Sequence, residues 1–334
     1  MTGRGPLGPR LAARAHLPGG ARYLVERLLG LGLVLWLVAT LVFVLLRVIP
    51  GDPVRILAGI DVVDPGEIAR LRHHFGLDRS IVTQYFSWLG HLFGGDLGTS
   101  IRSSISVSSL IGEALPVTLE LAALALVVGI GLSVPLGIAA ARRRGRAADL
   151  GIVSLALVGI SVPSFVLALL AIYTIGVKLG WLPTTGYVGL TADPVENLRH
   201  LVMPACTLGL VTAGILTRMM RRNLVDELAE DYIVTARARG AGERRVLYGH
   251  ALRNAIIPYV TIAGIEAGVL LSGAVIVETI FAIPGMGRLM ITNIEARDYP
   301  VVQGVVFVVA GFYVAVNFVV DLLYAWLDPR VALR

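Results

Sequence analysis

Charge is scarce in this chain of 334 residues: 16% of its residues are charged, against 56% hydrophobic. A soluble globular protein runs to about 25% charged and about 45–50% apolar. With a mean hydropathy of +0.78, too few polar residues exist to cover a water-soluble surface of this size. The single cysteine, Cys206, lies in an apolar stretch and excludes an intrachain disulfide and a thiolate metal cluster. The single lysine, Lys178, is followed by Leu179, so the chain lacks the G-x-x-x-x-G-K-[ST] loop that cradles nucleotide phosphates. H-E-x-x-H is absent too, and His73 and His74 stand adjacent instead of one helical turn apart. What remains is an integral membrane protein.

Six apolar stretches are long enough to cross a hydrocarbon core about 30 Å thick, which takes about 20 residues as a helix. They are Leu28–Leu46, Leu115–Ala141, Leu150–Val177, Leu201–Met220, Ile256–Ala282 and Val301–Leu327. None alternates in polarity as barrel strands do, so each must satisfy its backbone as a helix. The first run is too long for a secretory h-region and leads into Arg47-Val48-Ile49-Pro50, without a small-residue cleavage site, which marks a retained anchor. Pro135 and Pro163 predict kinks within spans.

Basic residues set the orientation. Five lie in 1–27, four in 142–149, eight in 218–255 and two after 327, against ten in the three opposite segments. Both termini are therefore expected in the cytoplasm. The formal charge of +6 reads as a topology signal, with no nucleic-acid partner. The expected layout is a cytoplasmic tail at 1–27, a first helix at 28–49 and an extracytoplasmic subdomain at 50–112. A five-helix core at 113–327 follows, including a cytoplasmic loop at 221–255, and then a tail at 328–334.

That loop is the most polar part of the chain. Leu228, Tyr232, Thr235 and Ala236 follow helical spacing, and Gly240 suits a left-handed helix end. Gly242-Glu243 starts a second helix, on which Val246, Leu247, His250 and Ala251 are expected to share a face. The expectation is helix–bend–helix, small-sided at the bend and ringed by Arg237, Arg239, Arg244 and Arg245. Charge alone fits a solvated basic loop that enforces topology better than a partner-binding bend.

Thr235-Ala236-x-x-x-Gly240, nine residues, then His250-x-Leu252-x-Asn254-Ala255-x-x-Pro258 resembles the EAA loop of ABC importer permeases. It is most similar to the dipeptide/oligopeptide/nickel branch, although Val234-Thr235 stand where the motif's name places Glu-Ala. The resemblance extends over nearly the whole chain. It includes Pro50-Gly51-Asp52-Pro53, Gln84-Tyr85, Trp88-Leu89, Gly95-Asp96-Leu97-Gly98-Thr99-Ser100 and Leu115-Pro116-x-Thr118. Further on come Glu278-x-x-Phe281-x-x-Pro284-Gly285-x-Gly287, Arg297-Asp298-Tyr299-Pro300 and Asp328-Pro329-Arg330.

The resemblance implies a type I importer permease with a MetI-like core, in the bacterial cytoplasmic membrane, of the subunit type with a large loop after its first helix. It implies a second homologous permease, ABC ATPase subunits holding ATP and magnesium, and an extracytoplasmic solute-binding protein. It implies no cofactor or metal in this chain. Coupling to the ATPase falls on Thr235, Ala236, Arg237, Ala238, Arg239, Gly240, Ala241, Val246, His250, Leu252 and Asn254. Peptide is the first solute implied, with nickel and related small solutes after it.

Carboxylates in hydrocarbon are costly and face a partner or a wet cavity. Glu120, Glu266 and Glu278 are candidates for the pathway, with Glu266 the deepest. Each has a structural alternative, and for Glu278 and Asp321, near span ends, it is the stronger one. Gly264-x-x-x-Gly268-x-x-x-Ser272 permits tight helix contact, within the chain or with the partner permease. A polytopic intramembrane enzyme and a passive channel are the competing classes. The chain shows no catalytic motif for the first and no filter-like segment for the second.

Overall fold

The computed structural model describes residues 20–48 and 65–327. The 1–19 part of the expected tail, Pro50-Gly51-Asp52-Pro53 and the 328–334 tail lie outside the described residues. Between them the chain is helical almost throughout, with one isolated bridge, Thr99 to Ser106, as its only extended pairing among the described residues.

The first span is α1 (Gly20–Val48). Two helices, α2 (Pro65–His74) and α3 (Ile81–Phe93), lie in the segment expected as an outer subdomain. The second span is α4 (Val107–Arg142), which continues through Pro135. The third apolar stretch departs from expectation. It forms α5 (Ala147–Ser161) and α6 (Ser164–Ala171), the latter extended by π turns over Ile172–Lys178, and the two halves meet at 96°. Val162 is extended there, which the residue before a proline favours, and Pro163 cannot donate to the helix. Among the described residues, five helices are thus long and apolar enough to cross a membrane, and six spans result if the bent pair is one.

The fourth span, α7 (Pro194–Glu227), is the most buried, and packs against α4 and α5. A short helix, α8 (Asp231–Ala238), follows it. Next come the single turn α9 (Glu243–Arg245), π turns over Val246–Ala251, and α10 (Leu252–Ile280). These three run on as one helical rod, Glu243–Ile280. The chain closes with α11 (Met286–Glu295) and α12 (Tyr299–Leu327).

Polar ties mark the two ends of the bundle. At the end holding α8, Asp149 is buried and receives a bidentate Arg221 guanidinium (Nε–Oδ1 2.5 Å, Nη2–Oδ2 2.7 Å) and the Gly145 amide at 2.9 Å. This joins the α4–α5 turn to α7. At the opposite end, Asp298 is buried and accepts from the Ser100 hydroxyl (2.5 Å) and the amides of Ile101 and Arg102. Two motifs nearly 200 residues apart, GDLGTS and RDYP, are therefore the halves of one joint. On α3, Gln84 accepts from Arg47, Tyr85 shares a hydrogen bond with Thr40, and Tyr85 and Trp88 stack around Phe43. These contacts hold α3 against α1.

The small-residue face of α10 packs within the chain. A Cβ on Gly264 would meet Val320 at 2.1 Å and one on Gly268 would meet Tyr313 at 2.8 Å, both on α12. Asp321 on α12 pairs with Arg27 of α1.

Candidate functional site: the bend between α8 and α10

The loop folds as helix–bend–helix. Gly240 has φ +83°, a region that costs a residue with a Cβ roughly 1–2 kcal/mol. Its amide bonds to Arg237 O (2.9 Å) and the Ala241 amide to Ala236 O (3.1 Å). These paired bonds are those of a Schellman helix end. A Cβ built on Gly240 would have no atom within 4 Å. Glycine is thus required by the backbone and not by crowding from its own chain.

Two side-chain ties hold the bend. Arg237 bonds Glu243 across it (Nε–Oε1 2.8 Å, Nη2–Oε2 3.3 Å). Asn254 donates to the Tyr232 hydroxyl at 3.0 Å, and that hydroxyl donates to Glu227 Oε2 at 2.5 Å. Partial burial, then the bond to Glu227, pushes the Tyr232 hydroxyl up to about 12, so it remains a donor at any physiological pH. This triad links the end of α7, α8 and the start of α10.

The packed faces differ from those the spacing suggested. On α8 the buried residue is Ile233, while Tyr232 and Thr235 are exposed and Ala236 is half-buried. Beyond the bend, Val246, Leu247 and Ala251 are buried as expected but His250 is exposed. The chain is π-wound over Val246–Ala251, so the 3.6-residue period assumed from the sequence does not hold there. Ala241, Val246 and Leu252 pack with Leu224, Ile233 and Met220. The coupling candidates therefore divide. Those three are packed. Arg237 and Asn254 are exposed but tie the bend through their hydrogen bonds. Ala236 is half-buried, and Thr235, Ala238, Arg239, Gly240 and His250 are exposed.

The three carboxylates also separate. Glu278 is fully buried, in keeping with the structural alternative given for it above. Thr118 Oγ1 donates to its Oε1 (2.6 Å) and the amides of Gly287 and Arg288 to its Oε2 (2.7 and 3.2 Å), while Thr118 Oγ1 accepts from the Met286 amide. The carboxylate thus caps α11, whose own N-cap residue, Gly285, has no side chain to do so. A Cβ on Gly285 would lie 2.4 Å from that carboxylate and one on Gly287 2.9 Å. The spacing E-x-x-F-x-x-P-G-x-G is this knot. The spacing itself was visible in the sequence, but Thr118, whose hydroxyl completes it from α4, lies 160 residues away.

Glu120 is half-buried on α4 and accepts from Tyr187 in the segment before α7 (2.8 Å). Burial, then this bond, pushes the Tyr187 hydroxyl up to about 12. Glu266 stands at the middle of α10, half-buried, with no hydrogen bond or ion pair among the described residues. In the segment expected outside the membrane, His73 pairs with Asp78 at 2.7 Å and His91 bonds the Ser87 carbonyl.

A helical bundle whose polar bend joins directly to a span matches a known family model. Residues 133–333 match "binding-protein-dependent transport system inner membrane component", and residues 21–122 match its N-terminal domain. The chain belongs to this family of transport permeases. A provisionally named peptide transport system permease protein of Brucella suis biovar 1 is 45% identical over 298 residues, covering 89% of this chain and 95% of the relative. The glutathione transport system permease protein GsiC of Salmonella typhimurium is 40% identical over 309 residues, covering 92% and 98%. Among solved structures, the inward-facing MetNI methionine ABC transporter gives a TM-score of 0.55 at 18% identity, covering 66% of this chain and 96% of that one. It shares the fold. Family and fold make the chain a multi-pass membrane transport component, and set aside the enzyme and channel readings.

Proposed function

We propose that this permease forms, with a second homologous permease subunit, the pathway of an ATP-driven importer for short peptides. ATP and magnesium are bound by separate ABC ATPase subunits, and an extracytoplasmic binding protein delivers the solute. Both termini face the cytoplasm, as the arginine distribution requires. The 50–112 segment lies outside, 113–327 forms the core, and 1–27 and 328–334 are cytoplasmic tails. Peptide as the solute is supported by the names of the Brucella relatives and of the Salmonella glutathione permeases, glutathione being itself a tripeptide.

One observation carries the coupling role. Exposed residues at a left-handed crook sit at the end of an unbroken helical rod that becomes the fifth span. Such a crook fits a groove on an ATPase surface. Closure of the paired ATPases then moves the rod between two discrete arrangements of the bundle, a hinge or shear transition. Glu266, unpartnered at the depth of the pathway, is placed to meet the ammonium group of a passing peptide.

The test is reconstitution in proteoliposomes. Labelled peptide should accumulate only when this chain, the partner permease, the ATPases, the binding protein and ATP are all present. Accumulation or turnover by the isolated chain would refute the reading, as would cross-linking that places Gly240 far from any ATPase.

A further inference from the structure

A cavity of about 610 Å³ lies at the bundle end opposite the bend, bounded by the turn after α2, the end of α3, the GDLGTS segment and the first turns of α12. Its volume is within the roughly 300–1,000 Å³ of small-molecule sites. The motif contacts described above use up much of the polar chemistry around it, but not all. Gln303 on α12 is 4% exposed, lines the cavity, and its Nε2 amide has no hydrogen-bond partner. A buried amide in this condition costs free energy unless something accepts from it. The exposed Arg79 guanidinium also lines the cavity and makes no hydrogen bond among the described residues, though its charge acts on the neighbouring Asp78 carboxylate, which His73 bonds. Tyr299 and Pro300 bring the positive end of a 29-residue helix to the same wall. These groups favour an anionic end of a ligand.

The cavity also holds a group of the opposite sign. Asp96 receives the Gly98 amide on Oδ1 (2.8 Å), leaving Oδ2 free, and Thr99 stands beside it. We infer that this outer cavity binds a short peptide with free termini, its carboxylate toward Arg79 and Gln303 and its ammonium toward Asp96. The site lies apart from Glu266 and the membrane pathway. It is a holding place for solute on the outer face of the permease. The assignment of peptide rests on the function proposed above, while a phosphatidylethanolamine headgroup shares the same pairing of ammonium and anion.

The experiment uses the complex of this chain with its partner permease and ATPases, without binding protein, in nanodiscs of phosphatidylglycerol. Binding of labelled tri-alanine is followed by equilibrium dialysis. Saturable binding is expected, weakened at least tenfold by Arg79→Gln and by Asp96→Asn, the latter keeping an acceptor for the Gly98 amide. C-terminally amidated tri-alanine should bind the unaltered complex about tenfold more weakly, and should lose nothing further on Arg79→Gln. That non-additivity does not arise from misfolding. Absence of saturable binding, or an equal amide penalty with and without Arg79, overturns the inference. So does loss of peptide binding when phosphatidylethanolamine replaces phosphatidylglycerol, which assigns the cavity to the headgroup. A complete importer that accumulates tri-alanine while this cavity binds none refutes the cavity alone. A complete importer that accumulates no peptide refutes the proposed function, and the dialysis still decides what the cavity binds.

Discussion

Gly240 offers a sharp separation of backbone strain from contact with a partner. Its φ of +83° is left-handed, and a Cβ there meets nothing within 4 Å in its own chain. The intrachain cost of Gly240→Ala is therefore backbone strain alone, roughly 1–2 kcal/mol, or a five- to thirtyfold shift away from the intact crook. Gly240→Val pays more, because a β-branched residue is least suited to this region. Gly240→Asn pays least, because asparagine visits it readily. The assay is peptide accumulated per ATP hydrolysed in proteoliposomes, with membrane insertion and complex assembly checked on the same samples. Accumulation per ATP should fall in the order Asn, Ala, Val, with assembly unchanged. If Asn transports worse than Ala, the space beside the crook is filled by the ATPase and side-chain bulk decides. Unaltered transport per ATP in Gly240→Val would refute the assignment of this bend as the coupling element.

Four further outcomes follow from contacts described above. Gly285→Ala drives a methyl into the Glu278 carboxylate and breaks its bonds to the α11 amides, lowering stability in detergent by about 1.5–3 kcal/mol, the worth of a charge-assisted hydrogen bond; thermal unfolding reads it. Arg221→Ala strands a buried Asp149 and should destabilise by about 3–5 kcal/mol, while the double replacement Asp149→Leu with Arg221→Leu should cost less than the single one. Gly264→Val overpacks α10 against α12 by about 1–3 kcal/mol, whereas Ser272→Val, at an exposed position, should leave the melting temperature unchanged. Glu266→Gln should leave stability unaltered, for lack of any partner to lose, yet change uptake rate or peptide preference; unchanged transport removes its pathway role.

The spans and the crook were legible because their signals are local. Twenty apolar residues in succession, or a glycine after a helical run, need no knowledge of the rest of the chain. The 96° break at Val162-Pro163 was legible only as a kink, since a proline marks the place of a bend but not its size. The structural reading of Glu278 was the stronger one from its place near a span end, and its short-range partner Gly287 lay in the quoted motif. Thr118, 160 residues away, was not announced by any local spacing. Asp149 and Arg221, 72 residues apart, were invisible for the same reason. His250 was expected on the buried face from a period of 3.6, and is exposed in a segment that adopts π turns.

The rod from Glu243 to Ile280 has 38 residues, about 57 Å at 1.5 Å per residue. One end carries the crook, and the other is clasped through Glu278 to α11 and α4. Such a beam is pinned at one tip and, if the crook couples to an ATPase as proposed, driven at the other. Its π turns beside the driven tip are the natural place for twist to be absorbed, since their looser winding yields before the regular helix does. A stroke delivered in the cytosol would then reach the exterior mouth as tilt, and Glu266, at the midpoint of α10, would swing through part of that arc.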